Sequence, residues 1–135
     1  MLARDVNSVG AITPGVRLHD LPQGTVEERI RMAGELGFSC IQLPSKVLYK
    51  SMGINRLGLT RELADHLRAV LDEAGVSVAV FGCYKNLATP DRQQLMDNIA
   101  EYEACLNFAQ MLGGCPVGTE TGRPNAQNRV ADDRM

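Results

Sequence analysis

The residue types in this chain that can do chemistry gather just after short apolar runs. Arg17, His19 and Asp20 close one such run, Gln42 closes a second, and Cys83, Tyr84, Lys85 and Asn86 close a third. A fourth run, residues 115–119, ends in Glu120 and then breaks into the turn cluster Gly122-Arg123-Pro124-Asn125. Asn and Gln both donate to and accept from hydroxyl groups. Lys and Arg hold a phosphate or a carboxylate, and Glu serves as a base or a metal ligand. Brought to one place, these groups form a polar rim suited to a hydroxylated small molecule. The candidate substrate contacts are therefore His19, Gln42, Lys85, Asn86, Glu120 and Asn125. The sequence singles out no catalytic acid or base among them.

Other reactive residue types read as structure. Cys40, Cys83, Cys105 and Cys115 contain no CxxC pair, and His19 and His66 lack finger spacing to them, which argues against a zinc site. Cys40, Cys105 and Cys115 sit in apolar runs, as small buried hydrophobes do. Cys83 has no base beside it in the sequence, so a buried thiol is its default reading. His66 falls between apolar positions of a helical stretch and reads as a helix-surface residue. No glycine-rich phosphate fingerprint of the P-loop or dinucleotide type is present.

The elements that must position these groups follow from periodicity and punctuation. Residues 16–21 alternate and read as a first strand. Thr25 and Glu28 form a capping box that opens a helix with the stripe Val26, Ile30, Ala33, stopped at Gly37. Residues 38–43 read as a second strand, stopped by Pro44. Residues 45–58, with Lys46 and Lys50, read as a loop with a short helix. Thr60 caps a helix with Leu63, Leu67, Val70, Leu71 and Ala74 as its stripe and Gly75 as its stop. Residues 76–84 are so continuously apolar that they read as a strand covered on both faces. Thr89 at the N-cap and Pro90 at the first helical position open a long helix. Its stripe is Leu95, Ile99, Tyr102, Leu106 and Ala109, and Gly113-Gly114 ends it.

The stop glycines Gly37, Gly75 and Gly113 recur at an interval of 38 residues, each followed at once by a strand. A repeated βα unit predicts an α/β fold with a parallel sheet and right-handed crossovers. Two closures remain: an open doubly wound sheet, or half of an eight-stranded barrel. A barrel of that kind takes about 250 residues, so four strands and three helices in a chain of 135 residues match its first half. The whole chain reads as one partial domain, with residues 1–14 as a leader and residues 126–135 as a loosely ordered polar tail. That tail lacks the closing helix of a finished domain and reads as the edge of an interrupted one.

Composition narrows the function classes. There is no Trp and aromatics are 4%, so the core is built from Leu, Val, Ile, Ala and Met. The net charge of −2 argues against a non-specific nucleic-acid or anionic-membrane binder. No apolar run approaches the roughly 20 residues of a membrane span. The start lacks a signal-peptide core, so a cytoplasmic location is expected.

Residues 15–22, 38–43, 80–86 and 117–122, in that order and spacing, together resemble the sugar phosphate isomerase/epimerase family of the xylose-isomerase-like barrel superfamily. The resemblance covers about residues 15–128. It implies a TIM barrel whose first half, four parallel strands and three helices, is this chain. It also implies a divalent metal (Mn, Mg, Co or Zn), held by Glu, Asp, His and Glu of the second half, so none of the metal ligands falls here. The implied reaction interconverts ketose and aldose, or epimeric sugars, through an enediolate. The implied ligand is a sugar or sugar phosphate, and this part alone is expected to be inactive. An endonuclease-like DNA repair role ranks low, because Tyr84 and Glu120 stand where that branch places His. Inosose dehydratase activity ranks low beside it. The competing reading is a non-catalytic half barrel that binds or assembles, self-associating through its exposed strand edges. An open flavodoxin-like sheet binding a nucleotide is weakened by the missing phosphate loop.

Overall fold

A computed structural model describes residues 12–120. Asn125 and the expected polar tail lie outside them. The elements run β1 (Val16–Arg17), α1 (Val26–Glu35), β2 (Cys40–Pro44), α2 (Ser45–Met52), α3 (Arg61–Ala74), β3 (Ser77–Gly82), α4 (Arg92–Met111) and β4 (Val117–Gly118). Short 3₁₀ turns cover Leu18–Asp20 and Arg56–Gly58. The four strands form one parallel sheet in the order β1-β2-β3-β4. A doubly wound sheet reverses its strand order at a switch point. This sheet does not, so of the two closures the sequential, barrel-like one is present. Helix α1 packs on α3, and α3 on α4. The short helix expected within residues 45–58 is α2.

The helix ends follow local chemistry closely. Both halves of the Thr25–Glu28 capping box form, each at 3.1 Å. Gly37, Gly75 and Gly113 all adopt positive φ, at 88°, 69° and 119°. At each, the glycine N–H and the next residue's N–H close back on the helix: Phe38 on Ala33, Val76 on Leu71 and Gly114 on Ala109. These are three copies of the Schellman clasp, which satisfies the last orphan carbonyls. The 38-residue interval is thus a repeat of structure as well as of sequence.

Four expectations need correction. Residues 16–21 are not one strand: β1 ends at Arg17, and Leu18–Asp20 turn as a 3₁₀ helix. Arg17 closes that turn with two hydrogen bonds to Asp20, at 2.7 and 3.1 Å. Leu18 and Leu21 are both buried, a spacing of three that strand alternation cannot supply. The N-cap of α4 is Asp91, not Thr89; its carboxylate accepts from the Gln94 N–H at 3.0 Å. Thr89 is buried and bonds Gln94 Oε1 and the Asp91 N–H instead. The buried face of α4 carries Glu101, Cys105, Phe108 and Ala109, whereas Ile99 and Leu106 are exposed. Phe108 sets that face by packing on Phe81 of β3, ring centroids 5.4 Å apart. Finally, β3 is not covered on both faces, for Ser77 and Ala79 are exposed.

The β3 ladder holds one irregularity that matters for the site. Ile41 pairs with Val78 and Gln42 with Val80, so Ala79 has no partner on β2. An unpaired extra residue is a bulge, and it exchanges the two faces of the strand beyond it. Val78 packs on the helix-side core. Beyond the bulge, Phe81 and Cys83 take that side and are fully buried. Tyr84 therefore emerges on the opposite, helix-free side.

Candidate functional site

The carboxyl ends of β1, β2 and β3 enclose a cleft of about 600 Å³. Arg17 and His19 come from the end of β1, Gln42 and Pro44 from β2, and Tyr84 and Lys85 from beyond β3. The first turn of α2 (Ser45, Lys46, Val47) and Tyr49 complete the wall. Register places the β-strand contributors side by side, since Arg17 pairs with Gln42. The Gln42 Nε2–H donates to the Tyr84 hydroxyl, linking the ends of β2 and β3. The Tyr84 ring lies back over Gly82. A Cβ at Gly82 would stand 2.5 Å from the ring's Cε2, and one at Gly118 would stand 3.7 Å from its hydroxyl. The second is an ordinary contact, so the side-chain-free position at Gly82 is the one that makes room for the ring.

Behind the cleft wall lies a buried polar cluster. The Tyr49 hydroxyl donates to Glu101 Oε1 at 2.5 Å and lies 4.0 Å from Cys105 Sγ. Glu101 and Cys105 are buried on α4, and Cys83 is buried at the end of β3. Burial and the bond to Glu101 push the Tyr49 hydroxyl well above the usual phenol range. It remains a donor at any ordinary pH. The hydrogen bond to Cys105, followed by burial, likewise raises the Cys83 thiol. Cys83 is thus protonated and enclosed, as expected for a structural thiol. In front of the wall, the Arg17 hydrogen bond holds the exposed Asp20 carboxyl below the usual range.

Of the candidate contacts, the structure brings together His19, Gln42 and Lys85. Asn86 does not line the cleft. Its side-chain oxygen accepts from the Ala88 N–H at 3.0 Å and its carbonyl from Asn98 at 2.7 Å, so it shapes the loop after β3. Glu120 is exposed, lies two residues beyond β4, and is also outside the cleft lining. Asn125 lies outside the described residues. His66 is on the helix surface as expected, 3.2 Å from Glu27 on α1. The cleft also takes in Arg17 and Tyr84, which close apolar runs but are not among the candidate contacts, and Tyr49 and the first turn of α2. For α2 a signal existed: all three lysines of the chain, Lys46, Lys50 and Lys85, follow strand ends.

Among the described residues, no three His, Cys, Asp or Glu side chains come together to hold a metal ion. The cleft lining itself contains no carboxylate. The donor set therefore does not fit a metal cage, but it does fit contacts to oxygen-rich or anionic groups. No helix among the described residues is long and apolar enough to cross a membrane.

Known proteins place this architecture. A D-psicose 3-epimerase solved in the presence of D-fructose superposes with a TM-score of 0.63 at 15% identity, over 90% of this chain and 43% of that one. A D-psicose 3-epimerase with D-tagatose, from Clostridium cellulolyticum H10, gives 0.63 at 14%, over 90% and 44%. A xylose isomerase domain protein from Planctomyces limnophilus gives 0.59 at 21%, over 90% and 46%. This chain thus spans less than half the length of these structures, and at such identities the likeness is one of fold. No curated protein matches the sequence. Residues 30–134 match the family described as xylose isomerase-like TIM barrel, most of the chain, and to that family this protein belongs.

Proposed function

We propose that this chain is the substrate-holding part of a sugar or sugar phosphate isomerase or epimerase, one that moves a proton beside a carbonyl through an enediolate. The observation that carries the reading is the cleft at three adjacent strand ends, where barrel enzymes bind their substrates. Gln42 and Tyr84, already joined to each other, present a fixed donor and acceptor pair to sugar hydroxyls. His19 and Lys85 close the cleft from either side. A divalent metal (Mn, Mg, Co or Zn), when bound, supplies a Lewis acid that polarises the sugar carbonyl. The described residues do not fit as its ligands, so the part played by this chain is to bind and orient. Glu120, Asn86 and Asn125 belong to the wider rim in this reading. The four free cysteines suit a reducing cytoplasm. The net charge of −2 disfavours DNA as the substrate.

A ketohexose incubated with the chain and Mn²⁺ in D₂O, followed by proton NMR, tests the reading. Saturable binding is expected, with little or no loss of the sugar C–H signal while the chain acts alone. Absence of binding would sink it, and a half barrel that only assembles with other chains would take its place. One observation favours that second reading. Strands β1 and β4 each have a neighbour on one side only among the described residues, and open edges invite pairing.

A further inference from the structure

The cleft has a strongly one-sided charge. The chain carries 16 acidic and 14 basic residues. Yet Arg17, His19, Lys46 and Lys85 line the cleft with no Asp or Glu among the lining residues. Within the described residues, ion pairs join Arg17 to Asp20 and Glu27 to His66. Lys46 and Lys85 take part in neither. A neighbouring cleft of about 560 Å³, sharing His19 and Val47 with the first, adds Arg29 and Lys50, again without a carboxylate in its lining. Arg17 is offset by Asp20 at the edge of the cleft, which leaves Lys46 and Lys85 as the cations that raise the local concentration of anions.

Neutral sugar hydroxyls do not call for this arrangement, because amides, phenols and backbone groups satisfy them. The first turn of α2 adds to the same field. Its residues Ser45, Lys46 and Val47 face the cleft, and its N-cap, Pro44, offers no side-chain acceptor. With no capping side chain on the helix, the Lys46 and Val47 N–H groups of that turn can be offered to an acceptor in the cleft.

We infer that the ligand of this cleft is an anionic sugar whose phosphate or carboxylate lies between Lys46 and Lys85, near the amino end of α2. The inference rests on the sugar-binding reading above and narrows it to a charged substrate class. Lys46 and Lys85 stand on separate elements, one after β2 and one after β3, so they grip the anion from two sides. Gln42 and Tyr84 are left for the hydroxyls.

Isothermal titration of the whole chain with glucose, glucose 6-phosphate and glucuronate tests this. At least one charged sugar should bind about tenfold or more tighter than glucose, and which one does so identifies the anionic group. The preference should disappear in Lys46→Gln/Lys85→Gln and survive in Lys46→Arg/Lys85→Arg. Arg68→Gln, outside this cleft, should leave it unchanged. Both lysines are exposed, and circular dichroism verifies that the variants fold. Equal binding of the three sugars, no binding of any, or a preference that outlives both lysines would overturn the inference. Lysine-dependent binding in a barrel that never exchanges a sugar proton would leave it standing while removing the isomerase reading. Turnover of neutral sugars alone would do the reverse.

Discussion

Tyr84 reaches Gln42 because glycine occupies position 82 beneath its ring. Gly82→Ala would set a methyl 2.5 Å from the ring. Because the clashing atoms end an exposed side chain that can swing aside, it should cost no more than about 1 kcal/mol, the low end of overpacking. In a Tyr84→Ala background the same change should cost less than half as much, because the methyl then meets space. Urea melts of the four variants give the coupling directly. Equal costs in both backgrounds would mean that the ring does not depend on Gly82. At this scale the sequence placed His19, Gln42 and Lys85 near the sheet's carboxyl edge, where they line one cleft, because each closes an apolar run. It did not reveal Tyr49 or the α2 turn, which lie in a stretch without clear period. Nor did it reveal the loop-shaping hydrogen bonds of Asn86, which depend on Ala88 and Asn98.

Between elements, the closest fit is α1 against the end of α3. A Cβ at Gly34 would meet the Ala74 carbonyl oxygen at 2.5 Å. That atom belongs to the backbone and cannot swing aside. Glycine inside a helix normally costs about 0.5–1 kcal/mol relative to alanine, yet here Gly34→Ala should destabilise, by about 1–3 kcal/mol. A gain in thermal stability would show that the two helices can part easily. A second link joins the same pair, His66 on α3 to Glu27 on α1 at 3.2 Å. Burial works to raise the Glu27 pKa, but hydrogen bonds from its own backbone, His66 and Thr25 outweigh it and hold it below the ordinary 4.5. A carboxyl lowered by folding stabilises the fold above its unfolded pKa, and that contribution fades as pH falls through the folded value. Stability should therefore drop on acidification below 4.5, and Glu27→Gln should flatten that part of the curve. Denaturation midpoints measured from pH 6 to pH 3, a range spanning about 1.5 units either side of the ordinary carboxyl value, would show whether the slope changes. Caps and stop glycines made the helices legible. The buried face of α4 was not, because apolar residues such as Met96, Ile99 and Leu106 also occupy its exposed side. Only the contact of Phe108 with Phe81 decides between the two.

For the whole molecule, the repeat of 38 residues was legible because each unit ends in the same left-handed glycine. Whether the units close as a barrel or an open sheet was not, since both share that pattern, and only strand order separates them. The single-sided pairing of β1 and β4 among the described residues leads us to expect self-association at micromolar concentration. Multi-angle light scattering would read this as a mass above that of one chain, and a monodisperse monomer would contradict it. The bulge at Ala79 works like a shift of reading frame in the strand alignment. Upstream of it odd and even positions have one meaning, and downstream they have the other. A relative lacking that one residue would pair without a bulge and still bury the Cys83 thiol and present the Tyr84 phenol, because Val80, Phe81 and Gly82 would keep Gln42, Leu43 and Pro44 as their partners. In this stretch a single-residue gap in an alignment is absorbed by the ladder and leaves the chemistry of the strand end unchanged.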